Sequence, residues 1–219
     1  GIPISYELRT HHFFRTEDVR LTDYDDYFYT KQSYRFTIAL DNRDNFMNPT
    51  SGRHQSLSIE KGYPFFSTSL DFTKVDVSLA QFFQVQENQV LATKLSLGYL
   101  DSPDISREGV FNREFYRIGG SYTVRGFKDF EPYAIGSRSI VANLEYRFLL
   151  GDSLQFIVFT DAGLASNTNK ISLEEARMTT GLGLRFVIPA LGPIRLDWGI
   201  PRLDSLDSTI VHFNIGHTF

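Results

Sequence analysis

One arginine in this chain has surroundings that suggest chemistry. Arg125 lies in Gly119-Gly120-Ser121-Tyr122-Thr123-Val124-Arg125-Gly126-Phe127. The glycines let the backbone turn tightly there, and Val124 and Phe127 give the turn an apolar anchor on either side. A guanidinium held in such a turn is a planar fork of donors suited to a carboxylate. Two carboxylates fall on the polar side of later segments. They are Glu145 and Asp161, the latter within Phe159-Thr160-Asp161-Ala162-Gly163. The chemistry on offer is ion pairing, although Arg125 taken by itself reads better as a solvated loop residue.

Catalytic patterns are missing. The chain has no Gly-x-Ser-x-Gly elbow, no phosphate-binding glycine loop and no His-Glu-x-x-His. His11 and His12 are adjacent, so on a strand they point to opposite faces and cannot chelate one metal together. His212 falls on a polar face and reads as an ordinary wall residue. Cysteine is absent, which removes disulfides and thiolate metal sites. A net charge of −4 and a pI near 5.7 give no electrostatic reason for a nucleic-acid partner. The expectation is no enzyme, no cofactor, no metal and no nucleic acid.

The elements that must position these residues are strands. The 219 residues are 42% hydrophobic and 15% aromatic, yet no apolar run approaches the roughly 20 residues of a membrane-spanning helix. The longest, 186–194, is broken by Pro189 and Pro193. Period-2 alternation recurs instead. Ile140, Ala142, Leu144, Tyr146 and Phe148 alternate with Val141, Asn143, Glu145 and Arg147. Leu182, Leu184 and Phe186 alternate with Gly181, Gly183 and Arg185, and Leu196 and Trp198 with Arg195 and Asp197.

This pattern predicts ten strands near 3–14, 32–43, 53–63, 68–82, 89–100, 138–149, 153–163, 179–189, 193–200 and 208–219. Short connections (44–52, 83–88, 150–152, 190–192) alternate with 15–31, 64–67, 101–137, 164–178 and 201–207, of which only 64–67 is brief. Such alternation is expected of an antiparallel transmembrane β-barrel, and even parity puts both termini on the periplasmic side. A soluble β-sandwich also alternates, but its strands are usually shorter and its polar face richer in Lys and Glu. Here Arg35, Lys74, Lys94, Arg147, Arg185 and Arg195 are balanced by Asp41, Asp76, Glu145, Asp161 and Asp197, as on the wall of a neutralised lumen. Tyr146, Phe148, Phe186, Trp198, Phe213 and Phe219 read as membrane girdles.

Val124-Arg125-Gly126-Phe127 followed by Phe159-x-Asp161-x-Gly163 resembles the paired motifs of the outer-membrane protein insertase superfamily. That family includes the BamA- and TamA-like bacterial surface antigens and is related to the two-partner secretion transporters. Three further stretches fit. Asp41-Asn42-Arg43-Asp44 through Pro49-Thr50-Ser51-Gly52 is similar to the family's Asp-x-Arg…Pro-x-x-Gly turn. Gly181-x-Gly183-x-Arg185, with Gly192-Pro193-x-Arg195-x-Asp197, is similar to its penultimate hairpin. The terminal Phe219 matches the aromatic that marks a barrel strand for assembly.

The resemblance implies that the 101–137 loop folds into the lumen and that Arg125 pairs with Asp161 and Glu145. Family barrels have sixteen strands behind POTRA domains. Residues 1–219 therefore read as a single barrel domain without a POTRA domain: the C-terminal ten strands, truncated, or a naturally short member. A short member would close on itself or self-associate into a larger barrel. The implied function is assembly or translocation of unfolded outer-membrane or secreted client proteins. It would act among outer-membrane lipids through an imperfectly closed seam, with pairing weakened at Gly216. The alternative is the membrane anchor or translocator barrel of a patatin-like phospholipase autotransporter.

Overall fold

The computed structural model describes residues 4–13, 29–62, 71–103, 114–129, 134–151, 153–168, 175–188, 192–201 and 209–216, with backbone alone for 4–13 and 29–32. The strands are β1 (Ile4–Phe13), β2 (Tyr29–Asp41), β3 (Gly52–Gly62), β4 (Thr73–Gln86), β5 (Gln89–Asp101), β6 (Tyr116–Arg117), β7 (Ile135–Gly136), β8 (Arg138–Leu150), β9 (Leu154–Ser166), β10 (Arg177–Ile188), β11 (Gly192–Pro201) and β12 (Ile210–Ile215). Ten of them form one antiparallel meander in the order β1-β2-β3-β4-β5-β8-β9-β10-β11-β12; β6 and β7 pair separately within the long connection. Among the described residues β1 and β12 do not pair with each other, so the sheet has two edges.

Boundaries shift where polar residues hide a strand. The sequence suggests a strand over 68–82 and a turn over 83–88, but β4 runs to Gln86 and turns at Glu87-Asn88, with an irregularity between Gln84 and Gln86. Hairpin ladder hydrogen bonds hold this extension although its residues from Phe83 onward are exposed, so period-2 burial does not signal it. β3 and β4 are accordingly separated by 63–72 rather than 64–67. The last strand is shorter than 208–219, ending at Ile215; Phe219 and His217 lie outside the described residues.

The two faces differ as the pleat requires. Outward side chains are exposed and apolar: Leu144, Val158, Leu182, Leu184, Phe186, Leu196, Trp198 and Phe213. Tyr146, Phe148 and Phe156 cluster near the β8–β9 turn, with ring centroids 5.1 and 6.1 Å apart along the row. Apolar surface this continuous on a described face marks an interaction or membrane surface. The inner face carries charges flanked by two apolar clusters. Ala80, Phe82, Val90 and Ala92 lie towards the short turns; Ile118, Val124, Ala134 and Val141 lie towards the long connection. The sheet curls around them. Gln155 Nε2 at the start of β9 donates to Asn48 Oδ1 of the β2–β3 turn at 2.7 Å, although three strands separate β3 from β9.

That turn is internally tied. Asp44 Oδ1 accepts the Thr50 and Ser51 N–H groups at 2.9 and 3.1 Å, and Oδ2 accepts the Thr50 hydroxyl at 2.5 Å. Gly52 closes it at φ +94°, where a Cβ would strike the Asn42 carbonyl. Partial burial works against the Asp44 charge, yet the Thr50 hydroxyl and the Ser51 and Thr50 N–H groups outweigh it and hold the carboxyl below the usual range. A depressed folded-state pKa adds stability above about pH 4 that is lost as the pH falls through the folded value. Asp44→Asn should cost about 1 kcal/mol at neutral pH. In urea unfolding curves the gap between wild type and variant should narrow on acidification; a gap that widens would refute the assignment.

Candidate functional site

The long connection between β5 and β8 returns to the inner wall and delivers Arg125 into it. Gly126 sits at φ +90°, a conformation that a β-branched or bulky residue resists, and this reverses the chain directly after the arginine. Arg125 is fully buried, as are Glu145 on β8 and Asp161 on β9. Its Nε and Nη2 form a two-point fork on Asp161, at 2.7 Å to Oδ2 and 2.8 Å to Oδ1, while its backbone N–H donates to the same Oδ2 at 3.0 Å. Nη1 donates to Glu145 Oε1 at 2.7 Å and reaches Asp197 Oδ1 on β11 at 3.5 Å. The guanidinium also stacks on Phe159, 3.6 Å from the ring centroid. Burial opposes the charge of Arg125, but Glu145, Asp161 and Asp197 outweigh it and raise its pKa further.

The carboxylates are shared. Glu145 Oε2 accepts from Arg147 Nε at 2.9 Å, and Oε1 also accepts from Arg185 Nη2. Asp197 Oδ2 accepts from Arg195 Nη2 at 2.7 Å, and the same nitrogen donates to the Ser121 carbonyl at 3.2 Å. Four guanidiniums thus meet three carboxylates at this centre, so it is locally cationic rather than evenly balanced. Farther round the wall, Arg35 pairs with Glu60 at 2.5 Å, an inward acid absent from the sequence reading.

Glycines make the room. A Cβ on Gly163 would lie 2.6 Å from Val124 Cγ2, and one on Gly199 would lie 2.6 Å from the Gly126 Cα. On Gly181 it would strike the Phe159 ring at 2.4 Å, and on Gly183 the Asp197 carboxylate at 2.5 Å. Gly163 on β9 and Gly199 on β11 are therefore the seat of the tip, while Gly181 and Gly183 on β10 leave room for Phe159 and Asp197. Phe127 packs at the edge of the Ile118–Val124 cluster, with the Arg177 guanidinium 4.7 Å from its ring centroid.

The remaining residues named from sequence lie apart from the tip. Gly192 and Pro193 begin β11, and the Pro193 carbonyl accepts the Gly216 N–H at 2.8 Å, one residue past the end of β12. Gly216 has φ +115° and open space around it. Three contacts have no sequence expectation behind them. Asn143 Nδ2 donates to the Thr123 carbonyl at 2.7 Å and to Asp161 Oδ1 at 2.8 Å. His212 Nε2 accepts the Gly126 N–H at 3.1 Å, clasping the tip to the last strand. Gly199 gives the tip space. Their only local signal was inward parity, which polar wall residues share.

Removing the arginine alone strands buried carboxylates. Arg125→Ala should leave membrane insertion intact, weaken the loop's seating by about 3–5 kcal/mol and speed limited proteolysis within 101–137. Unchanged proteolysis would exclude the Arg125–Asp161 pair as the loop's anchor. His212→Gln can still accept from Gly126 and should behave nearly as wild type; His212→Phe cannot, and should expose the same cleavage sites. Equal cleavage in both variants would mean the clasp contributes nothing.

A family model described as "Omp85 superfamily domain" matches residues 4–219. No curated protein matches the sequence significantly. Among solved structures, the chain is similar to the crystal structure of BamA from Haemophilus ducreyi lacking POTRA domains 1–3. The TM-score is 0.67 at 19% identity, over 87% of this chain and 42% of that one, and at this identity the likeness speaks for the fold. By the match along nearly its whole length, the chain belongs to the Omp85 superfamily.

Proposed function

We propose that residues 1–219 act as one outer-membrane β-barrel domain that assists the assembly or translocation of other proteins. The observation that carries this reading is the pairing of an exposed apolar outer face with a charged inner face that grips a returning loop through Arg125. The belt of Leu, Phe and Trp on β8 to β12 suits lipid, and the buried network suits a lumen shielded from it. In lipid an unpaired edge leaves backbone groups unsatisfied at several kcal/mol each. β1 and β12 must therefore be covered by each other, by further strands or by a second copy. Both termini then face the periplasm and the long connections face outward.

The working element on this reading is the β12 edge. β12 is only six residues long and ends at Ile215, after which the positive φ of Gly216 takes the chain out of strand geometry. A short, weakly held edge can offer main-chain hydrogen bonds to an incoming strand without sequence-specific chemistry. The chain contains no cysteine, so one introduced at Phe213 is unambiguous. During folding of an outer-membrane client carrying one cysteine in its last strand, Phe213→Cys should form a disulfide-linked adduct. Proteoliposomes of the protein should also speed that client's folding over empty liposomes. Normal insertion with neither adduct nor acceleration would refute the assembly reading and leave the domain as a membrane anchor.

A further inference from the structure

An outward groove of about 240 Å³ lies at the loop end of β5, β8 and β9. Its walls are Leu97, Ile140 and Leu164, which are cross-strand neighbours in register. One step nearer the long connections, the row Tyr99, Arg138 and Ser166 forms its rim. Gly98 alternates with the exposed Leu97 and Tyr99, and its Cβ position faces inward against Tyr116, so the groove opens on the apolar outer face.

Arg138 is unlike the arginines of the inner network. Arg147, Arg185 and Arg195 point inward onto carboxylates. Arg138 points outward, and its side chain has no hydrogen-bond or ion-pair partner among the described residues; its guanidinium lies 5.3 Å from the Tyr99 ring centroid. A cation held by an aromatic face at the mouth of an apolar groove keeps its donor fork free for an oxyanion. Apolar walls with a cation at the rim match a lipid whose acyl chain is joined to a phosphate headgroup.

We propose that this groove is a binding site for one phosphate-bearing membrane lipid, with an acyl chain along Leu97, Ile140 and Leu164 and the phosphate on Arg138. The proposal rests on the membrane-barrel reading above. On that reading, the loop end places the site at the outer-leaflet interface. A lipid seated there would brace β5 against β8 and β9, the strands that flank the long connection.

The test uses the full chain in detergent with phosphatidylglycerol or with diacylglycerol of the same chains, read by native mass spectrometry. Wild type should retain one phosphatidylglycerol under activation that strips diacylglycerol. Arg138→Gln should lower phosphatidylglycerol retention about tenfold, the loss of a charge-assisted contact. Ile140→Trp fills the groove on the lipid side and should lower it as well while Arg138 remains. Heat-modifiable gel mobility and vesicle insertion report folding for each variant independently. Retention unchanged in either folded variant, or equal for the two lipids, would overturn the site. Failure of the wild type to insert into vesicles would instead overturn the membrane reading beneath it.

Discussion

A guanidinium withdrawn entirely from water constrains everything near it. Taking such an ion out of water costs several kcal/mol, recovered only when its donors find well-placed acceptors. Arg125 meets that demand with Asp161, Glu145 and Asp197, which stand on three different strands. The backbone ladders set the spacing of those strands, and their curl brings the three carboxylates within reach of one guanidinium. The glycine positions follow, because the tip reaches the carboxylates only where the wall has no side chain in the way. The stack on Phe159 follows too, since the ring both excludes water and presents its negative face.

At the centre of the inner face, four guanidiniums share three carboxylates. Glu145 serves Arg125, Arg147 and Arg185 at once, so one carboxylate joins the loop, its own strand and β10. Such a hub is a poor source of net stability compared with apolar packing. It is a good source of geometry, since each partner restricts the others. The apolar clusters on either side supply the packing, and they keep the charges away from both ends.

The outer face obeys a simpler rule. Its exposed apolar side chains depend mainly on what surrounds the sheet, which is why the strands read as alternation without a conventional core. The edges obey neither rule. A six-residue β12 beside a ten-residue β11 leaves part of the β11 ladder unmatched, and among the described residues the Gly216 N–H to Pro193 carbonyl bond is the last tie at that end.

Parity was legible without any structure. A strand turns its side chains alternately by local geometry, so Asn143, Glu145 and Arg147 fall on one face, and Arg195 and Asp197 likewise, whatever the sheet does. The ten-strand meander follows from the same period and the turn residues between runs. The β4 extension to Gln86 was hidden because an exposed hairpin end buries nothing, and β6–β7 because two-residue strands have no period. What only tertiary structure decided is which inward residues meet. Asn143 bridging to Thr123, Asp197 joining Arg125 and His212 clasping Gly126 join segments 20, 72 and 86 residues apart. Those meetings depend on register and curl accumulated over many strands, and on how deep the loop sinks, which no local pattern encodes.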